Sequence, residues 1–232
     1  MTQNPKSKTM AHRKYQSVMA FSLLGLVVAL LFTGNSRKES KIQPRAGYSD
    51  ISFAGTDQAM LNAQVNRFVK HYVQENKDCL CEIKQRSQAP FDLMDSVLDH
   101  FQLPLQLKYL AVIESELKAT AVSDRGAAGP WQLMPETAQI LGLKVSRHND
   151  ERMNFSQSTR AAARYLKDLH IEFGDWLLVL AAYNGGEGPV YAAIRHANSR
   201  NFWTIQRYLP QETRTYIKKF MATYYYFEGR RA

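Results

Sequence analysis

From Asp57 onward, apolar residues recur every three or four positions, the spacing that lines one face of an α-helix. Leu61, Val65, Phe68, Val69, Tyr72 and Val73 predict a first amphipathic helix. Phe91, Met94, Val97, Leu98 and Phe101 predict a second, closed by Pro104, and a third runs from near Leu105 to about Glu116. Pro135 opens a short fourth that Gly142 ends, following the preference for Pro at the first helical turn and Gly just past the last. Residues 156–173, 175–183, 189–197 and 210–227 complete the series. No stretch alternates with period two, and no internal repeat is visible. The expected body is all-α, of about 170 residues, with short connections.

The N-terminal quarter differs. Val18 to Phe32 is a continuous apolar run inside a charge-free stretch from Tyr15 to Ser36. Those 22 residues, at about 1.5 Å each, can cross a hydrocarbon layer of about 30 Å. Gly34-Asn35-Ser36 marks a cleavage site only weakly, without A-x-A, and no Cys follows for lipidation, so an uncleaved signal anchor is the expectation, with membrane contact through residues 15–36 and a cleaved signal as the alternative. Lys and Arg tie at four on each flank, so charge does not orient it. The expected organisation is a basic tail and transmembrane segment over 1–34 and a polar linker over 35–56, punctuated by Pro44, Gly47 and Gly55. A helical extension over 57–89 and a main domain over 90–227 follow.

Charge then changes meaning. The chain carries +9, a value that invites a nucleic-acid reading. Residues 1–46 alone hold eight basic residues against Glu39, which leaves only +2 for the other 186. Positive charge flanking an apolar run suits anionic lipid heads, and no nucleic-acid partner is expected. Cys79 and Cys81 stand too close for an unstrained disulfide and lack companions for a zinc site, so no metal is expected. Nor is a phosphate-cradling G-x-G-x-x-G present, and no cofactor is expected.

Candidate chemistry sits on the third helix. Leu107, Leu110 and Ala111 form an apolar stripe, and the i+7 position of that stripe is Glu114. A carboxylate desolvated on such a face has its pKa raised toward neutrality, as a general acid requires. The alternative is a carboxylate at the stripe's edge, reaching water or paired with a base. After it, a polar Gly-rich turn runs into Trp131, Gln132 and Met134, a composition suited to a saccharide or peptide groove, although Trp131 itself reads as packing. Tyr183 ends a helix, and Asn184-Gly185-Gly186 then supplies a left-handed turn.

Four motifs in order now resemble one family. They are Glu114-Ser115 at a helix end; Gly126-Ala127-Ala128-Gly129-Pro130-Trp131-Gln132-Leu133-Met134-Pro135; Ala181-Ala182-Tyr183-Asn184-Gly185-Gly186; and Glu212-Thr213-Arg214-Thr215-Tyr216-Ile217. Over about residues 90–227 the chain looks like the soluble-lytic-transglycosylase (SLT) domain of lytic murein transglycosylases, with a goose-lysozyme-like fold. It is most similar to the membrane-bound D subclass. Where many members carry Gly-Leu-Met-Gln, this chain has Gly129-Pro130-Trp131-Gln132, the D-like form, and no LysM-like repeat follows.

The resemblance implies cleavage of the MurNAc–GlcNAc β-1,4 bond of peptidoglycan strands without water, leaving 1,6-anhydro ends, by a domain on the periplasmic side of the membrane. It implies Glu114 as the one acid/base. It also implies that Ser123 and Tyr183 lie near the muramyl acetamide, Gln132 and Met134 in the groove wall, and Asn184 and Glu212 in the same cleft. An ion pair of Glu212 with Arg214 or a lysine is the competing reading. The competing functions are a hydrolytic muramidase and a membrane-anchored module that binds peptidoglycan without cutting it.

Overall fold

The computed structural model describes residues 58–229, with side chains from residue 66. The expected anchor and linker lie outside the described residues. Among the described residues, no helix is long and apolar enough to cross a membrane. Regular structure there is entirely helical, apart from isolated bridges pairing Val122 with Ala128, Ala128 with Leu133 and Val145 with Asp150.

The helices are α1 (Gln58–Glu75), α2 (Lys77–Arg86), α3 (Gln88–His100), α4 (Tyr109–Ser115), α5 (Pro135–Ile140), α6 (Phe155–Phe173), α7 (Trp176–Gly185), α8 (Glu187–Ala197), α9 (Phe202–Ile205) and α10 (Gln211–Glu228). Tight 3-10 turns at Leu105–Lys108, Glu151–Met153 and Gln206–Tyr208 connect them. The eight helices expected from periodicity are all present, with two additions. One is α2, whose polar sequence buries only Leu80 and Ile83 and so shows too thin a stripe to be read. The other is the four-residue α9. The expected third helix is split, because Leu105–Lys108 winds as 3-10 before α4 begins.

The core is built around α7, which buries every residue from Leu177 to Ala182 and is apolar all round, as a central helix must be. Asp175 starts it by accepting hydrogen bonds from the amides of Leu177 (2.8 Å) and Leu178 (3.0 Å). Against it lie α6, which turns Ala161, Ala162, Ala163, Leu166 and Leu169 inward, α8, and α10. Small alanines on α6 let the two backbones approach closely. α10 also packs along α1 and α4, so the last helix spans the fold. Its C-terminal end is held by an aromatic cluster: Tyr109 stacks on Phe227 at 5.3 Å, and Phe91 meets both rings edge-on. The Tyr109 hydroxyl donates to Glu228 Oε1 at 2.6 Å.

The turn after α7 departs from expectation. Asn184 and Gly185 are still helical, and the left-handed residue is Gly186, at φ +81°. Gly185 is needed for a different reason: a Cβ there would lie 2.8 Å from Thr213 Oγ1. The missing side chain brings the end of α7 against the start of α10, carrying Tyr183 and Asn184 to the neighbourhood of Glu212.

Candidate active site

Helix α4 is seven residues long and buries Tyr109, Leu110, Ala111, Val112 and Ser115. Glu114 emerges in its last turn, partly buried. Its Oε1 accepts a 2.6 Å hydrogen bond from the hydroxyl of Tyr216 on α10, a residue 102 positions away. Burial pushes the Glu114 carboxyl up to about 7, with the Tyr216 bond pulling weakly the other way. No cation contributes to that balance, so the protonated form dominates up to neutrality. The negative end of the α4 dipole favours the neutral acid further. Among the described residues no base pairs with Glu114, which bears against that half of the alternative.

Tyr183 completes the surroundings. Its hydroxyl donates to the Trp131 carbonyl at 2.7 Å, and burial together with the Glu114 charge holds its pKa well above the ordinary value. Tyr216 is displaced in the same direction for the same reasons. Glu114 therefore sits beside two neutral phenols.

Residues 121–134 form a folded loop beside α4. Ser115 joins the two, its Oγ donating to the carbonyls of Pro130 (2.9 Å) and Ala111 (3.2 Å). Ser123 Oγ accepts from the amide of Ala127 at 3.0 Å, which fixes its lone pairs inward; its hydroxyl hydrogen has no acceptor among the described residues. Gln132 adopts a left-handed conformation, φ +46°. Its amide nitrogen braces the loop, donating to Gly129 O (2.9 Å) and Ala121 O (3.2 Å), so its carbonyl oxygen is the part of the amide left to bind. Met134 stands exposed at the entrance to α5, an apolar surface beside this loop. Trp131 is wholly buried, its indole N–H donating to Thr159 Oγ1 at 2.9 Å, so it is packing, as expected.

A buried guanidinium holds the loop's shape. Arg152 donates to Gly126 O (2.7 Å) and Leu133 O (3.0 Å) and pairs with Asp150 at 2.6 Å. Gly129 lies so close to the Arg152 carbonyl that a Cβ would fall 1.8 Å from its oxygen.

Glu212 lies in the first turn of α10, exposed, one helical turn before Tyr216 on the same face. It makes no ion pair with Arg214 or a lysine among the described residues. Asn184 is partly buried in the last turn of α7. Periodicity singled out Glu114 but missed Tyr216, which touches it. The only available signal was that Tyr216 belongs to the same motif as Glu212, four residues on. Cys79 and Cys81 are free thiols on α2, and no cluster of metal-ligating side chains is present among the described residues.

Comparison with known proteins adds identity to this geometry. Residues 100–206 match the model of the transglycosylase SLT domain. The chain is 32% identical over 216 residues to membrane-bound lytic murein transglycosylase D of Escherichia coli, an alignment covering 89% of this chain and 47% of that protein. It is 33% identical over 117 residues to a peptidoglycan transglycosylase of Escherichia phage T7, covering 50% of this chain and 9% of that one. The 70 kDa soluble lytic transglycosylase of Escherichia coli superposes with a TM-score of 0.52 at 26% identity, over 60% of this chain and 24% of that structure. The chain thus spans under half the length of these relatives, over the part that carries Glu114 and its loop. The SLT-domain match, residues 100–206, thus falls on the part of the chain that carries Glu114 and its loop.

Proposed function

We propose that this protein is a peptidoglycan lytic transglycosylase that cleaves the MurNAc–GlcNAc β-1,4 bond with Glu114 as its single acid and base. The observation that carries the reading is a carboxyl group pushed up to about 7 by burial and held by one tyrosine, with no cation and no second carboxylate of the described residues shifting it. Paired-acid glycosidases need two carboxyl groups about 5–9.5 Å apart, the second acting as the nucleophile or activating water. A lone acid serves a reaction whose nucleophile belongs to the substrate.

The steps balance without water. Glu114 gives its proton to the glycosidic oxygen, the C1–O bond breaks, and GlcNAc leaves with a hydroxyl. The muramyl acetamide oxygen stabilises the positive C1. The Glu114 carboxylate then takes the proton of the C6 hydroxyl as O6 bonds to C1, which closes the 1,6-anhydro ring and restores the acid. Proton transfer of this kind supplies about 10²–10⁴ in rate. Tyr216 holds one carboxyl oxygen and leaves the other to work. Ser123, with a hydroxyl hydrogen to give, and Tyr183 serve the acetamide region. Gln132 and Met134 form the groove wall, and Asn184 and Glu212 line the cleft at the junction of α7 and α10. In this reading residues 1–34 are tail and anchor, 35–56 a linker, 57–89 a helical extension and 90–227 the catalytic domain. The extracytoplasmic face of a bacterial membrane is the proposed location, supported by the name of the membrane-bound relative.

Mass spectrometry of muropeptides released from purified sacculi tests this. Products one water lighter than hydrolytic fragments, absent when Glu114→Gln is used, are expected. Reducing-end products alone would establish a muramidase instead.

A further inference from the structure

The backbone immediately after Glu114 is unusual. Glu116 (φ +54°, ψ +35°) and Leu117 (φ +62°) are both left-handed, and neither is glycine. Each such residue costs about 1–2 kcal/mol, so the surroundings must impose the shape. Part of the imposition is local: the Glu116 amide donates to Val112 O (2.9 Å), and the Leu117 amide reaches back to Ala111 O (3.1 Å) while its side chain enters the core. This reversal halts α4 one residue past Glu114 and fixes where that side chain emerges.

The rest comes from outside the segment that matches the SLT model. Arg86, the last residue of α2, donates from Nη2 to the Glu116 carbonyl oxygen at 2.6 Å, a short, charge-assisted bond. Glu116's carboxylate pairs with Lys118 at 2.6 Å, and burial together with the Glu116 charge raises the pKa of the Cys79 thiol on α2. The same end of α2 places Lys84 Nζ over the rings of Tyr226 (5.4 Å) and Phe227 (5.9 Å) on α10. Leu80 and Ile83 root α2 in the core. A single short helix thus clips together the two helices that carry Glu114 and Tyr216.

We infer that Arg86 is a positioning residue for Glu114: by holding the Glu116 carbonyl it locks the left-handed end of α4 and keeps the Glu114 carboxyl on the Tyr216 hydroxyl. This rests on the reading of Glu114 as the acid, and it makes the helices before residue 100 a working part of the site. An arginine that only stabilised the fold would lower melting temperature and leave turnover per folded molecule unchanged.

The full chain, with Arg86→Ala, Arg86→Lys, Glu116→Gly and the Arg86→Ala/Glu116→Gly pair, provides the test, each checked for folding by circular dichroism. Rates of muropeptide release against sacculus concentration are compared per folded molecule. Arg86→Ala should lose about 10- to 10²-fold in maximal rate at unchanged half-saturation. Arg86→Lys should recover part of it. Glycine at 116 adopts the left-handed shape without help, so the pair should regain most of the rate. A wild-type maximal rate in Arg86→Ala, or no recovery in the pair, overturns the inference. The Glu114 carboxyl titration, followed by carbon NMR, separates the two claims. If Glu114→Gln is fully active, the acid reading fails; an unchanged Glu114 midpoint in Arg86→Ala sinks the positioning role whatever the activity.

Discussion

Two partly buried carboxylates in this fold have opposite characters. Asp150 is held below the ordinary carboxylate range, because the Arg152 guanidinium donates side-chain hydrogen bonds to its charged form that outweigh the cost of burial. Glu114 meets a neutral phenol in place of a cation, so burial wins and its pKa rises to about 7. The two groups differ by one methylene; what separates them is the partner. Asp150 stays charged and holds a loop in place, whereas Glu114 keeps a proton that it can give away.

The largest expected effect comes from removing the proton. Glu114→Gln should lower muropeptide release toward 10⁴-fold, the upper end of what a general acid provides, while binding to sacculi persists. A variant that still cuts near the wild-type rate would erase the distinction between the two carboxylates.

Breaking the other pair should damage stability first. Arg152→Ala leaves Asp150 charged without its partner and two carbonyls, of Gly126 and Leu133, without their donor. A loss of about 3–5 kcal/mol in urea unfolding is expected. Because Asp150 is depressed in the folded state, its contribution is present above its unfolded value and fades as pH falls. The variant should therefore lose that acid sensitivity.

The linkage of Glu114 has the reverse sign. Its folded carboxyl ionises near 7 and its unfolded one near 4.5, so stability declines as pH rises through that window. Glu114→Gln should be more stable than wild type at pH 8 by roughly 3 kcal/mol and about equal to it at pH 4. Thermal unfolding at the two pH values reads this directly.

The smallest effect sharpens the role of the phenol. Tyr216→Phe deletes the one bond that pulls the Glu114 pKa down. The midpoint of the pH–rate profile should move up, and the rate at pH 6 should fall about tenfold, the cost of one lost orienting hydrogen bond.

Much of this was legible in the sequence. The helical series stood out where a helix buries a broad stripe, as α6 and α10 do, or where Pro and Gly mark its ends, as for α5, and Glu114 stood out because it interrupts a stripe. What periodicity could not show were contacts made across the chain. Tyr216 reaches Glu114 over 102 residues, and nothing in α10's spacing favours it above the neighbouring Glu212. The end of α4 was hidden for another reason: Glu116 and Leu117 take a conformation usually announced by glycine, and Arg86 helps to hold them there. Gly185 and Gly186 read as one turn, yet one serves close packing and the other a left-handed bend. Gln132 looked like a groove amide, but its nitrogen is occupied within its own loop.

The central claim is that Glu114 holds the working proton because it is buried without a cation. Carbon NMR titration of the Glu114 carboxyl, set beside the pH dependence of muropeptide release by the same protein, tests it most directly. The account predicts a midpoint near 7 that coincides with the alkaline fall in rate. A carboxyl that titrates near 4.5, with activity persisting well above that pH, would contradict it.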